Sequence, residues 1–110
     1  MKIERVKTYE VKIYVGSEIG YSGKTLDVTE AICQDYVNNV GLCVTVTKTK
    51  YFYVNGSEDG VIIGLINYPR FPESESAIKN KAIALAKKLK LGLGQLRVSI
   101  VCPDETIMIS

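Results

Sequence analysis

The sequence predicts an α+β fold in which an antiparallel sheet carries two helices on one face. Three observations predict it. Two stretches with apolar residues at helical spacing each lie between stretches whose apolar residues alternate with a period of two. A short connection at Asn55-Gly56 joins the second and third alternating stretches as a hairpin, which gives the order β-α-β-β-α-β. The third of these stretches, Val-Ile-Ile-Gly-Leu-Ile at 61–66, is apolar on both faces, as a central strand is.

The first strand is read over 8–15. Tyr9, Val11, Ile13 and Val15 share one face, and Glu10, Lys12 and Tyr14 the other. Gly16, Gly20 and Gly23 then mark a loop with backbone freedom. The first helix follows, with Asp27 as N-cap and Glu30 three residues on. Its expected stripe is Val28, Ala31, Ile32, Tyr36 and Val40, and Asn38, Asn39 and Gly41 stop it.

The second strand, over 42–54, puts Val44, Val46, Phe52 and Val54 on one face. Thr45, Thr47, Thr49, Tyr51 and Tyr53 fall on the other, which is polar without being charged. The turn opened by Asn55-Gly56 is expected to run to about Gly60, with Glu58 and Asp59 as solvated turn acids. After the third strand, Pro69 and Pro72 exclude helix until about Glu73. The second helix runs from Ser74 or Glu75 to Leu91 on the stripe Ile78, Ala82, Leu85, Ala86, Leu89. Its acids stand at the start and its lysines at the end, as the helix dipole favours. Leu96, Val98, Ile100 and Cys102 form one face of the last strand, and 107–109 is read as a short additional one. This is the ferredoxin-like split βαβ arrangement, with the first and third strands central. The sheet face away from the helices would stay open, carrying Thr45, Thr47, Tyr51, Tyr53, Ile62 or Ile63, Arg97, Ser99 and Val101. That apolar content points to a homo-oligomer.

Composition narrows the function. The 110 residues suit a single domain. A net charge of +2, from 14 basic and 12 acidic residues, argues against nucleic-acid binding through bulk electrostatics. Three scattered cysteines without a C-x-x-C pair argue against a disulfide framework or zinc site and fit a reducing compartment. No apolar run approaches the roughly 18 residues of a membrane span, and the N-terminus lacks a signal-peptide h-region, so a cytoplasmic location is expected. Histidine is absent, and with it the commonest general base and metal ligand. No cofactor and no metal are expected.

Three segments carry binding chemistry. Asn67-Tyr68-Pro69-Arg70-Phe71-Pro72 sets an arginine between aromatics on a stiffened loop: Tyr68 and Phe71 can stack on a base while Arg70 forks to a phosphate. The alternative is that both rings plug the end of the core and Arg70 points to water. In the loop after the first strand, the amides of Gly20, Tyr21, Ser22 and Gly23, with Lys24, can cradle an anion, though neither a Walker nor a dinucleotide spacing is present. Gln95 and Arg97 at the entry of the last strand can add an amide and a charge.

The runs IYVG, GLCVTVTKTKYFY, EDG, INYPRFP and QLRVSIV resemble those of small uncharacterised ferredoxin-like proteins of bacteria and their phages. The resemblance implies a phage anti-defence sponge for nucleotide immune signals. The expectation is therefore a non-enzymatic protein that sequesters a phosphate-bearing, nucleotide-like molecule. The rival readings are an inhibitor module acting on a host protein and a small enzyme with an inter-subunit active site.

Overall fold

The computed structural model describes residues 1–17 and 23–110; the side chains of 17 and 23–25 also lie outside the described set. Five strands and two helices follow in the order β1(Glu10–Ser17), α1(Gly23–Val40), β2(Thr45–Tyr53), β3(Gly56–Ile66), α2(Glu75–Gly92), β4(Val98–Val101), β5(Thr106–Ile109). The strands form one antiparallel sheet in the order β2-β3-β1-β4-β5. The first and third strands are internal, as their patterning requires, and β5 adds an edge beyond β4.

Register follows from the alternation, because a slip of one residue would turn every apolar side chain to the wrong face. Ile13 stands opposite Ile63 on one side and Ile100 on the other, and Val11 opposite Leu65. These residues, with Val15, Val61 and Val98, are buried beneath Ile78, Ala82, Leu85, Ala86 and Leu89 of α2 and Cys33 and Tyr36 of α1. Both helices thus cover one sheet face. The Tyr36 hydroxyl donates to the Lys81 carbonyl at 3.1 Å and ties the helices together.

Ser74 caps α2, its hydroxyl accepting from the Ala77 N–H at 3.2 Å. Gly41 ends α1 at φ +75°, donating its N–H to the Val37 carbonyl at 2.9 Å.

Three expectations are corrected. Helix α1 begins at Gly23, a turn before Asp27, so Asp27 does not cap it. Its buried face holds Thr29, Cys33 and Tyr36, while Val28 and Val40 are exposed; this setting of the helix still buries Tyr36, the largest side chain of the expected stripe. Strand β3 begins at Gly56, so 56–60 is strand and the hairpin is tight: Tyr53 pairs with Gly56, and Asn55 supplies φ +62° at the turn. The second face of β3, which carries Ile62 and Ile66, lies on the open side of the sheet, where Ile66 is exposed. Among the described residues no helix is long and apolar enough to cross a membrane.

Candidate functional site

The strands give the sheet two ends, and each end gathers polar side chains. At one, β1 finishes, the β2–β3 hairpin begins and the chain enters β4. Here Tyr14, Gly16, Tyr51, Glu58, Gln95, Arg97 and Ser99 line a groove of about 280 Å³ on the open face. That is close to the ~300 Å³ at which small-molecule pockets begin.

Glycines shape this groove. Tyr51 stands opposite Glu58 in the β2–β3 ladder, and Gly60 lies two residues further along. A methyl group at Gly60 would meet the Tyr51 ring at 2.3 Å and the Val15 carbonyl at 2.4 Å, so only glycine lets the ring cross the strand. The Tyr51 hydroxyl then donates to the Val15 carbonyl at 3.3 Å. Burial pushes that hydroxyl up to about 12, with Tyr14 and Glu58 adding to the shift, so it stays a protonated donor. Glu58 reaches across to β1: a methyl at Gly16 would sit 2.9 Å from its Oε1. Among the described residues Glu58 has no ion pair. Arg97 is exposed at the rim, and the Gln95 amide makes one long bond, 3.4 Å, to the Leu93 carbonyl.

The other end holds the aromatic loop. Tyr68 and Phe71 pack with ring centroids 5.3 Å apart at a 37° tilt. Hydrogen bonding with Cys43, then burial, raises the Tyr68 hydroxyl above its ordinary value. Asn67 fastens the loop: its Nδ2 donates to the Lys7 carbonyl at 2.9 Å, its N–H to the Tyr9 carbonyl at 3.0 Å, and its Oδ1 accepts from the Glu73 N–H at 3.0 Å. Glu73 is paired with Lys81. The space behind the rings is about 20 Å³, room for about one water. Arg70 is exposed.

The structure therefore divides the residues picked from the sequence. Gln95 and Arg97 come together with one another, while Tyr68, Arg70 and Phe71 sit at the far end of the sheet. Gly20, Tyr21 and Ser22 lie outside the described residues, as does the side chain of Lys24; Gly23 opens α1. Glu58 is placed in a turn by composition alone. The signal for it is the period of two carried through the tight turn, which sets it opposite Tyr51. Cys33 and Cys102 are buried, and burial, then Glu30, pushes the Cys33 thiol up to about 11. Among the described residues no three cysteines or carboxylates converge on a possible metal position.

Comparison with known proteins locates the fold. A phage SAM lyase in its apo state superposes with a TM-score of 0.77 at 18% identity. The match covers 100% of this chain and 96% of that one. The phage SAM lyase in complex with S-methyl-5'-thioadenosine gives 0.78 at 19%, over the same shares. A DUF3240 family protein from Shewanella baltica reaches 0.49 at 11% identity, covering 88% of this chain and 89% of that one. No family model matches the chain, and no curated protein matches it. The lyase likeness is one of fold, from the first strand to the added fifth.

It overturns the expectation of a sequestering protein without catalysis, because that fold is matched end to end by an enzyme. The absence of histidine excludes imidazole chemistry, which is a narrower exclusion than catalysis.

Proposed function

We propose that this protein is a lyase that cleaves S-adenosylmethionine (SAM) in the open-face groove and releases S-methyl-5'-thioadenosine. The observation that carries the reading is the Glu58 carboxylate, held over Gly16 between two tyrosines in a groove of substrate size. The whole-chain likeness to a SAM lyase that binds this thioether supports it.

The chemistry suits the residues. SAM is a sulfonium cation, and a carboxylate in a partly desolvated groove attracts it strongly. When a carbon–sulfur bond breaks, the sulfur takes the bonding pair and leaves as a neutral thioether, so no acid has to protonate it. The carbon left behind is satisfied from within the substrate, by its own carboxylate or by loss of a neighbouring proton to Glu58. One molecule becomes two, and water takes no part. Tyr51, locked by its bond to Val15, offers a rigid face for the adenine. Gln95 faces the adenine edge, and Arg97 forks to the carboxylate of the amino-acid part. Consuming a nucleoside in the host would serve the antagonist role that the sequence resemblance implies.

The test is incubation with SAM and separation of products by mass spectrometry. The wild type forms S-methyl-5'-thioadenosine, and Glu58→Gln forms it about 10²-fold more slowly. Both bind the thioether with affinities within a few-fold of each other. SAM recovered intact from the wild-type protein would sink the reading.

A further inference from the structure

The two ends of α2 use their charges differently. From Ser76 to Pro103 the chain has six lysines and arginines and no acid. Near the start of the helix they are spent within the fold: Lys79 bridges Asp104 and Glu105, and Lys81 pairs with Glu73. Arg97 lines the groove. Lys87, Lys88 and Lys90, in the last turns of α2, have no ion pair among the described residues. These three charges exceed the net +2 of the whole chain, so the field of the molecule is positive at this end and not evenly spread.

The helix dipole accounts for lysines here, but not for what stands beside them. The chain leaves α2 through Leu91-Gly92-Leu93-Gly94, four residues without a polar side chain. Leu91 is 81% exposed and Leu96, two residues past this tip, 68%; among the described residues these are the only exposed leucines. Lys87 and Lys88 lie four and three residues before Leu91, so all three share the ridge of α2 opposite the buried Leu85, Ala86 and Leu89. The backbone of the tip is closed on itself. The Leu93 N–H donates to the Leu89 carbonyl at 2.9 Å, the Gly94 N–H to the Leu91 carbonyl at 3.3 Å, and the Gln95 N–H to the Lys90 carbonyl at 2.9 Å. Gly94 allows this turn at φ +64°. A segment that has bonded its own amides can leave water without stranding them.

Apolar side chains, closed amides and flanking lysines are the parts of an interfacial anchor. The leucines gain by entering a hydrocarbon boundary, and the lysine stems reach back to anionic headgroups. A polynucleotide is matched less well, because residues 75–97 include no ring to stack on a base. We infer that the end of α2 and the tip after it dock on an anionic lipid surface, with Leu91 inserted and Lys87, Lys88 and Lys90 at the headgroups. The contact is peripheral. Because α2 covers the sheet face away from the groove, the groove stays open to water while the tip is seated. The inference stands apart from the lyase reading, since its test needs no SAM.

The test is flotation of the full chain with vesicles of phosphatidylcholine and phosphatidylglycerol. The wild type floats with them at low salt, less as salt rises, and stays behind with phosphatidylcholine alone. Lys87→Gln with Lys88→Gln lowers the partition roughly 25-fold, at about 5-fold for each charge. Leu91→Gln lowers it about 10-fold. All three positions are exposed, so these variants keep the wild-type Tm. An environment-sensitive dye on Leu91→Cys, in a Cys43→Ser background with Cys33 and Cys102 buried, shifts to the blue when the anionic vesicles are added. The proposal is overturned if the wild type floats with neither vesicle or equally with both, if Leu91→Gln binds as the wild type does, or if the dye stays in water. A protein that ignores the vesicles but retains a labelled oligonucleotide at the same salt also overturns it, and gives the lysines to nucleic acid.

Discussion

The two ends of the sheet draw on the same residue types and use them in opposite ways. Each has tyrosine, arginine and glutamate: Tyr51, Arg97 and Glu58 at one end, Tyr68, Arg70 and Glu73 at the other. At the aromatic-loop end the functional groups are spent on one another. Tyr68 leans on Phe71, Glu73 is paired with Lys81, and Asn67 joins the loop to the segment before β1, leaving about 20 Å³ behind the rings, while Tyr68 and Asn67 border shallow grooves of about 240 and 430 Å³. At the groove end Gly60 and Gly16 make way for the Tyr51 ring and the Glu58 carboxylate, and a groove of about 280 Å³ lies beside Glu58, which has no ion pair among the described residues. What separates the two ends is here the placement of the side chains: two glycines let Tyr51 and Glu58 lie across the strands, where the acid is not spent on a lysine as Glu73 is.

Displacing those two side chains is therefore the sharpest way to break the comparison. In Gly16→Ala the new methyl meets only the end of the flexible Glu58 side chain, so the fold adapts cheaply while the carboxylate moves. A displacement of about 1 Å at a reacting group can cost about 10²-fold in rate. Gly16→Ala should approach the rate loss of Glu58→Gln with little change in Tm. Gly60→Ala differs because the methyl meets the Val15 backbone as well as the Tyr51 ring. It should cost about 1–3 kcal/mol in stability, seen in urea melts, as well as activity. Equal Tm losses in the two variants would mean that Gly16 serves the fold and not the site.

The converse test belongs to the loop. Asn67→Ala removes the partner of the Lys7 carbonyl and of the Glu73 N–H together. A loss of about 2 kcal/mol is expected from two such groups, read as a Tm lower by several degrees. The rate of SAM cleavage at a temperature where the variant is folded should remain that of the wild type. A selective loss of cleavage without a loss of stability would place chemistry at this end after all.

Much of the fold is legible in the residues. The alternation of Val11, Ile13, Val15 and the two-sided apolarity of 61–66 specify which strands are internal, and the stripe of α2 is the one that the core buries. The local rules fail where tertiary pairing overrides them. Gly-Ser-Glu-Asp-Gly at 56–60 has the composition of a turn, yet β2 and β1 flank it and hold it as strand. That single override hides Glu58, because an acid in a turn faces water while an acid on this strand faces Gly16. Arg97 and Gln95 are visible as candidates, since they precede an evident strand. Their separation from Tyr68, Arg70 and Phe71 is not, because it depends on which ends of the strands adjoin. The sequence resemblance to phage proteins finds support in the lyase neighbours, whereas inactivity inferred from missing histidine does not survive them.

The arginines give the smallest and most discriminating contrast. Both are exposed, so neither substitution to alanine should unsettle the core, and each should fall within about 0.5 kcal/mol of wild type in stability. They differ only in what they face. Arg97 lines the groove, where a hydrogen bond to a substrate carboxylate is worth about 1.5–3 kcal/mol, so Arg97→Ala should raise the KM for SAM about 10-fold or more. Arg70 stands on the far loop, outside the groove, and Arg70→Ala should leave both kcat and KM unchanged. The pair measures position alone, since residue type, charge and exposure are held constant. A KM raised by Arg70→Ala and untouched by Arg97→Ala would exchange the roles of the two ends of the sheet.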